Sequence, residues 1–274
     1  MNSFETLLHK IDNAKALDFG DIINKTIELF KNAWVKGLVM VLLIVVIILP
    51  IFLSFYIPMF RSVMEQVESG GYDPNDTSGL MLMQSSSFQY KMLGITFVIG
   101  LLSTGLVAGF YRILKKVDHK ESNTFSDYFY YFKTKYLGKI FAIASFSLLV
   151  GLLSLIIDMF LPAFAASLLK IGISIILSVY TTLFVVFFAF NPDLEASDIF
   201  VLSFKFGSKK WLLIFGLFFV TYILAFLIGF IACGIGVLFT ISAVYMPIYL
   251  VYKDVFGFGA VSDIDLIGAN DEAS

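Results

Sequence analysis

The chain has 274 residues, 59% of them hydrophobic and 15% charged, with a formal net charge of −2. A soluble domain is about half apolar and a quarter charged, so this composition points to a membrane protein and offers no basic excess for nucleic acid. A single cysteine, Cys233, excludes an internal disulfide framework and a cysteine-based metal cluster.

Residues 1–36 carry charges throughout, and no small-residue cleavage pattern follows the first apolar run, so no cleavable signal peptide is expected. The opening "MNSFETLLHKIDNAKAL" spaces Phe4, Leu7, Leu8 and Ile11 as a short amphipathic helix that also carries His9. Next comes "LDFGDIINKTIELFKNAW" at 17–34, with apolar residues at Phe19, Ile22, Ile23, Ile27, Phe30 and Trp34. Asp18 stands three residues before Asp21, the arrangement of a helix N-cap followed by an acidic third residue. The first apolar run occupies 37–57, with a kink expected at Pro50.

A helix needs about 20 mainly apolar residues to cross the hydrocarbon of a bilayer. Further runs of that kind occupy 92–111, 139–160 and 171–190. The block 211–252 is too long for one span and divides near "CGIG" at 233–236, where glycine permits a tight turn. Six spans result. Between the third and fourth, "MFLPAFAASLL" at 159–169 reads as a short interfacial segment broken by Pro162. Of the 19 basic residues only Arg61, Lys91 and Lys170 fall on the side opposite the rest, so both termini, including the 253–274 tail, are expected in the cytoplasm.

Two further segments resemble 17–34. "FSDYFYYFKTK" at 125–135 precedes the third span, and "EASDIFVLSFKFGSKKW" at 195–211 precedes the fifth. Each pairs a small residue with aspartate, as Gly20 with Asp21, Ser126 with Asp127 and Ser197 with Asp198. Thr124 supplies the cap of the second, and Ser197 is expected to cap the third because Glu195 is a poor N-cap. Apolar residues follow at helical spacing, and Phe30, Phe132 and Phe204 are each followed by lysine. An aromatic face flanked by lysines suits a helix lying in the headgroup layer. The expected fold is an all-α integral membrane protein, a single domain of six transmembrane helices. It would be built as three repeats of one cytoplasmic interfacial amphipathic helix plus two spans. Repeat 1 has its spans within 37–111 and an external loop at 61–91, repeat 2 takes 112–190, and repeat 3 takes 191–252.

This layout, closed by "YMPIYLVYKD" at 245–254, resembles a broad group of uncharacterised bacterial polytopic membrane proteins. The group is similar in layout to the membrane domain fused to some glycerophosphodiester phosphodiesterases. In those fused proteins the chemistry belongs to a separate soluble domain for which this chain has no room. The resemblance therefore implies a bacterial inner-membrane fold and no catalyst, and it carries over no functional residue.

Chemistry-bearing constellations are sparse. His9 and His119 lie in different segments without metal-ligand spacing, and solvated histidines are the plainer reading. No zinc-protease, nucleophile-elbow or phosphate-loop motif occurs. Asp73, Asn75, Asp76 and Thr77 in "ESGGYDPNDTSG" offer oxygens at calcium-like spacing, but "DPND" is a turn signal in its own right. Asp158 and Lys170, at the outer ends of spans three and four, read first as an interfacial pair and second as an ion site. Ser174, Ser178, Thr181 and Thr182 share roughly one face of span four, a polar conduit if they do not simply bond neighbouring backbone. Gly105-x-x-x-Gly109 and Ser147-x-x-x-Gly151 are close-packing patterns within the chain. The expected function is a non-enzymatic subunit or scaffold of a membrane complex, or an organiser of lipid. Its partners would be membrane lipid and a membrane protein, without cofactor, metal or nucleic acid. The alternative is a transporter or permease for a lipid-like or small apolar solute, and an intramembrane enzyme ranks last.

Overall fold

The computed structural model describes residues 3–69, 86–231 and 234–258. Among these the chain forms α-helices and two short 3₁₀ segments, with no strand. Six helical stretches are long and apolar enough to cross a membrane: Phe19–Ser54, Ser87–Asp118, Thr134–Phe160, Ala163–Phe190, Ala196–Ile231 and Gly236–Phe256. The calcium-like positions at 73–77, Cys233 and the tail beyond 258 lie outside the described residues.

Helix α1 (Ser3–Asp12) buries Leu7 and Ile11, two residues of the predicted amphipathic stripe. Helix α2 (Phe19–Glu68) starts where expected, with Asp18 at the N-cap and its Oδ1 accepting the Asp21 amide at 2.7 Å. It then runs 50 residues without interruption, about 75 Å at 1.5 Å per residue. The expectation of a separate in-plane helix before the first span is therefore corrected, since 17–34 and 37–57 belong to one rod. Helix continues through Pro50 as well.

Helix α3 (Ser86–Asp118) leads to the second aromatic segment, which forms a 3₁₀ helix at Phe125–Phe132 rather than an in-plane α-helix. Asp127, Tyr128 and Tyr131 of that segment are buried, while Phe125 and Phe129 are exposed, so its aromatics are divided between the protein interior and the outside. Thr124 and Asp127 form the predicted capping box. Helix α4 (Thr134–Phe160) ends where the Leu161 amide bonds the Ile157 carbonyl. Pro162 then caps α5 (Ala163–Phe190). The separate interfacial segment predicted at 159–169 is thus a two-residue break, because Pro162 pre-sets the N-terminus of the next helix.

Helix α6 (Ala196–Ile231) joins the third amphipathic segment to the fifth span. Its one non-helical residue is Lys210, at φ −123° and ψ 19°, so here the segment is set off from the span by a kink. Ser197 lies inside the first turn and not at the cap, which corrects that assignment, while Asp198 remains as the acidic residue of the turn. The three amphipathic segments thus take three forms: a continuous rod, a 3₁₀ helix and a kinked helix. Gly234, at φ +78°, turns the chain into α7 (Gly236–Thr240), a 3₁₀ stretch Ile241–Tyr245 and α8 (Met246–Phe256). The hairpin of α6 with α7 and α8 is close at its turn: the Thr240 hydroxyl of α7 donates to the Ala225 carbonyl of α6 at 2.6 Å, and Gly229 backs onto the main chain of Val237.

Burial is concentrated at the lysine-bearing end. Ile22, Ala33 and Met40 of α2, Leu106 to Leu114 of α3, Val179 to Ala189 of α5, and Met246 to Tyr252 of α8 form one core. The hairpin covers α2 along the same stretch, with Trp34 against Phe239 and Gly37 against Ser242. Beyond Val41 that cover stops, and Val46, Leu49, Phe52 and Phe60 are exposed.

Gly109 explains how the 3₁₀ segment reaches α3: a Cβ there would stand 2.3 Å from the Tyr128 carbonyl oxygen, whereas at Gly94 it would meet nothing within 4 Å. Gly109→Ala is expected to destabilise by about 1–3 kcal/mol, read as a lower thermal midpoint in detergent. Gly94→Ala, by contrast, leaves the midpoint level or raises it, since alanine favours helix by about 1 kcal/mol over glycine.

Candidate functional site

The lysine-bearing end is organised around one carboxylate. Asp127 is 5% exposed. Its Oδ1 accepts Arg112 Nε at 3.2 Å, and its Oδ2 accepts Lys116 Nζ at 2.8 Å and the Thr124 amide at 2.9 Å. Burial raises the Asp127 pKa, but the Lys116 bond, the Thr124 amide and Arg112 outweigh it and bring the carboxyl down to about 2. The Arg112 guanidinium also stacks on the Tyr130 ring, with Cζ 3.9 Å from the centroid, and Lys133 lies 4.4 Å from the same centroid.

From this anchor the aromatic segment ties in two helices. The Tyr128 hydroxyl donates to the Lys36 carbonyl of α2 at 2.7 Å, and the Tyr131 hydroxyl donates to the Ala189 carbonyl of α5. Burial raises both phenol pKa values, which keeps them protonated as donors. Lys139 donates to the Pro192 carbonyl, and Lys135 pairs with Asp193 at 3.1 Å. On the other side of the bundle Asp118 accepts Tyr249 Oη and Lys253 Nζ, each at 2.7 Å. Helix α1 is held by Lys205 on Asp12 at 2.8 Å, and this bond lowers the Asp12 pKa. It is also held by Lys209 on the carbonyls of Ile11 and Asp12.

Several clefts open around this end, among them one of about 340 Å³ lined by His9, Lys10, Lys15 and Asp254. The largest, about 500 Å³, is lined by Lys25, Glu28, Asn32, Asp118, Lys120, Lys253 and Asp254. Most of its charges are spent on each other, Lys25 with Asp254 and Lys253 with Asp118. A second, about 310 Å³, lies between α1, α3, α5 and α8 and carries Lys10 and Lys115 over an aromatic wall. A further one, about 210 Å³, is apolar and lies between α2 and the final hairpin, with Thr26, Thr221 and Thr240 in its lining.

The predicted polar face lies elsewhere. Asp158 and Lys170 form an ion pair at 2.6 Å with side chains 34% and 31% exposed. Ser174, Ser178 and Thr181 line a groove of about 260 Å³ with Ser147, between α4 and α5. Ser178 bonds back to the Ile175 carbonyl, and Thr181 and Thr182 bond back to the Ser178 carbonyl. Asp158 and Lys170 do not line that groove. His119 Nδ1 donates to the Lys115 carbonyl at 2.8 Å, and His9 meets the Asn13 side chain. Among the described residues no group of three or more metal-ligating side chains is brought together. The predicted close-packing glycines meet partners within the chain, Gly105 against the Phe132 ring and Gly151 against Leu93.

The anchoring role of Arg112 and Lys116 was not legible beforehand, though the "YRILKK" run puts both on one helical face at an i, i+4 spacing. Asp118 with Tyr249 and Lys253 had a weaker signal, the i, i+4 placement of the latter two. No family model, curated protein or solved structure matches the chain.

Asp127 makes the fold acid-sensitive in a defined window. Its native pKa of about 2 lies below the ordinary 3.8, so its contribution is complete above about pH 4 and disappears as pH falls toward 2. The amount is about 2 kcal/mol at 1.36 kcal/mol per unit. Unfolding midpoints measured from pH 6 to pH 2 are expected to drop most steeply across that window, and Asp127→Asn removes the step.

Proposed function

We propose that the protein is a non-enzymatic, multi-pass membrane subunit or scaffold that organises a membrane complex or its lipid. The observation that carries this reading is the contrast along α2, α4 and α5. At the lysine-bearing end these helices are packed and cross-tied, but their far halves present large apolar side chains outward. Phe52 and Phe60 of α2, Leu149, Ile156 and Phe160 of α4, and Phe164 and Leu168 of α5 are all exposed. Apolar surface of that extent is covered either by lipid tails or by the helices of another membrane protein. The resemblance to the membrane domain of glycerophosphodiester phosphodiesterases agrees with a role outside catalysis. It supports a bacterial inner-membrane location, and the lysine asymmetry supports cytoplasmic termini.

A second reading, a transporter for a lipid-like or small apolar solute, is favoured by the Ser147, Ser174, Ser178 and Thr181 groove. Back-bonding of Ser178 and Thr181 to their own helix counts against a hydrated path there.

Photo-crosslinking residues placed at Phe52, Leu149 and Phe160 are expected to capture one membrane protein of defined mass in native membranes. Adducts with lipid alone at all three positions contradict the complex and leave the lipid-organising role. Labelling of Ser174→Cys or Ser178→Cys by a membrane-impermeant maleimide would instead establish the transporter reading.

A further inference from the structure

We propose that the cleft between α1, the end of α3, the end of α5 and α8 is a binding site for the phosphate group of an organic phosphate. Its lining is rich in donors and holds no carboxylate: Lys10 and Lys115 face Phe190, Tyr252 and Phe258, with Ser3 at the rim. Lys10 gives one N–H to the Phe256 carbonyl at 2.6 Å, which leaves two of its three donors. Lys115 lies 5.0 Å from the centroid of the Phe258 ring, a contact that uses none of its hydrogen-bonding capacity. The Tyr252 oxygen accepts from Asn191 Nδ2 at 2.7 Å, so its own proton is left to donate. The acids on the surrounding elements are committed elsewhere: Asp12 to Lys205, Asp118 to Lys253 and Tyr249, Asp254 to Lys25. Glu5, on the outer side of α1, does not line the cleft.

Ammonium donors with no carboxylate in the lining select an anion, and two flexible ammonium groups suit a tetrahedral phosphate. The remaining wall is apolar, with Phe190 and Tyr252 ring centroids 4.9 Å apart and Phe190 and Phe258 centroids 4.7 Å apart. Such a wall takes the carbon portion of a phosphate ester and gives inorganic phosphate nothing to rest on. A volume of about 310 Å³ is at the small end of ligand pockets, the size of a head group and not of a whole lipid. Basic pockets at helix ends are where membrane proteins hold anionic head groups. The same chemistry is met by a phospholipid head group or by a soluble phosphate ester.

The test uses the full chain in a non-ionic, phosphate-free detergent, with the thermal midpoint followed during three titrations. The probes are short-chain phosphatidylglycerol in mixed micelles, glycerol 3-phosphate and inorganic phosphate. A saturable rise with phosphatidylglycerol alone identifies the lipid head group as source, and a rise with glycerol 3-phosphate as well extends the site to soluble esters. In either case K10Q/K115Q is expected to weaken the apparent affinity at least tenfold, while the charge-matched K31Q/K36Q leaves it within twofold. Because Lys10 also holds the end of α8, K115Q alone is measured too and is expected to weaken binding severalfold. The proposal is overturned if no organic phosphate gives a saturable rise. It is equally overturned if inorganic phosphate matches the esters, or if K31Q/K36Q weakens binding as much as K10Q/K115Q.

Discussion

One buried carboxylate orders the lysine-bearing end of this protein. Asp127 collects Arg112, Lys116 and the Thr124 amide, and a buried charge is tolerable only when paired and hydrogen-bonded in this way. With Asp127 fixed, the 3₁₀ turn lies flat on Gly105 and Gly109 of α3. The two tyrosines that follow then reach α2 and α5 through main-chain carbonyls. Three helices, α2, α3 and α5, are joined through eight residues of aromatic chain. Main-chain acceptors make these ties insensitive to side-chain identity on the receiving helices but strict about their register.

At the other end no comparable network exists among the described residues, and the reason lies in the offset of the final hairpin. Trp34 and Gly37 of α2 meet the hairpin near its turn, at Phe239 and Ser242. The half of α2 beyond Val41 extends past it. In lipid this costs little, since an apolar side chain gains no hydrophobic driving force by moving from acyl chains to a helix. The outer helices are thus free to meet either lipid or a partner, whereas the lysine-bearing end holds its shape. A scaffold needs that combination of a rigid base and an uncommitted apolar surface. The aromatic cleft at the base adds a place where the bound environment can be sensed, because a phosphate seated there would contact α1, α3 and α8 together.

Much of this was legible from residue order, and the limit was physical. Hydropathy identified all six crossing stretches because a bilayer demands length and apolarity of each one separately. The caps at Asp18 and Thr124 were legible because capping is local. Periodicity marked an apolar stripe on each of 19–34, 125–136 and 196–211, yet Phe19, Ile27, Trp34, Phe125, Phe129 and Phe204 of those stripes are exposed. It reports which side of a helix is apolar and not what covers that side. The second segment buried Tyr128 and Tyr131 but left Phe125 and Phe129 exposed, and the first fused with its span because nothing between Trp34 and Gly37 breaks a helix. Ser197 was misplaced by two residues, since the helix begins at Ala196, within the ordinary scatter of helix starts. The cleft with Lys10 and Lys115 gave no signal, since residues more than a hundred positions apart meet there only through the fold.

Hydrogen–deuterium exchange of wild type and Asp127→Asn in the same detergent tests the central claim most directly. If Asp127 anchors this end, the variant exchanges at least ~10-fold faster across 125–136, as expected for a loss of about 2 kcal/mol. Faster exchange then spreads to 34–38 and 187–191, while 246–256 keeps its protection. Unchanged protection across 125–136 in the variant would contradict the account.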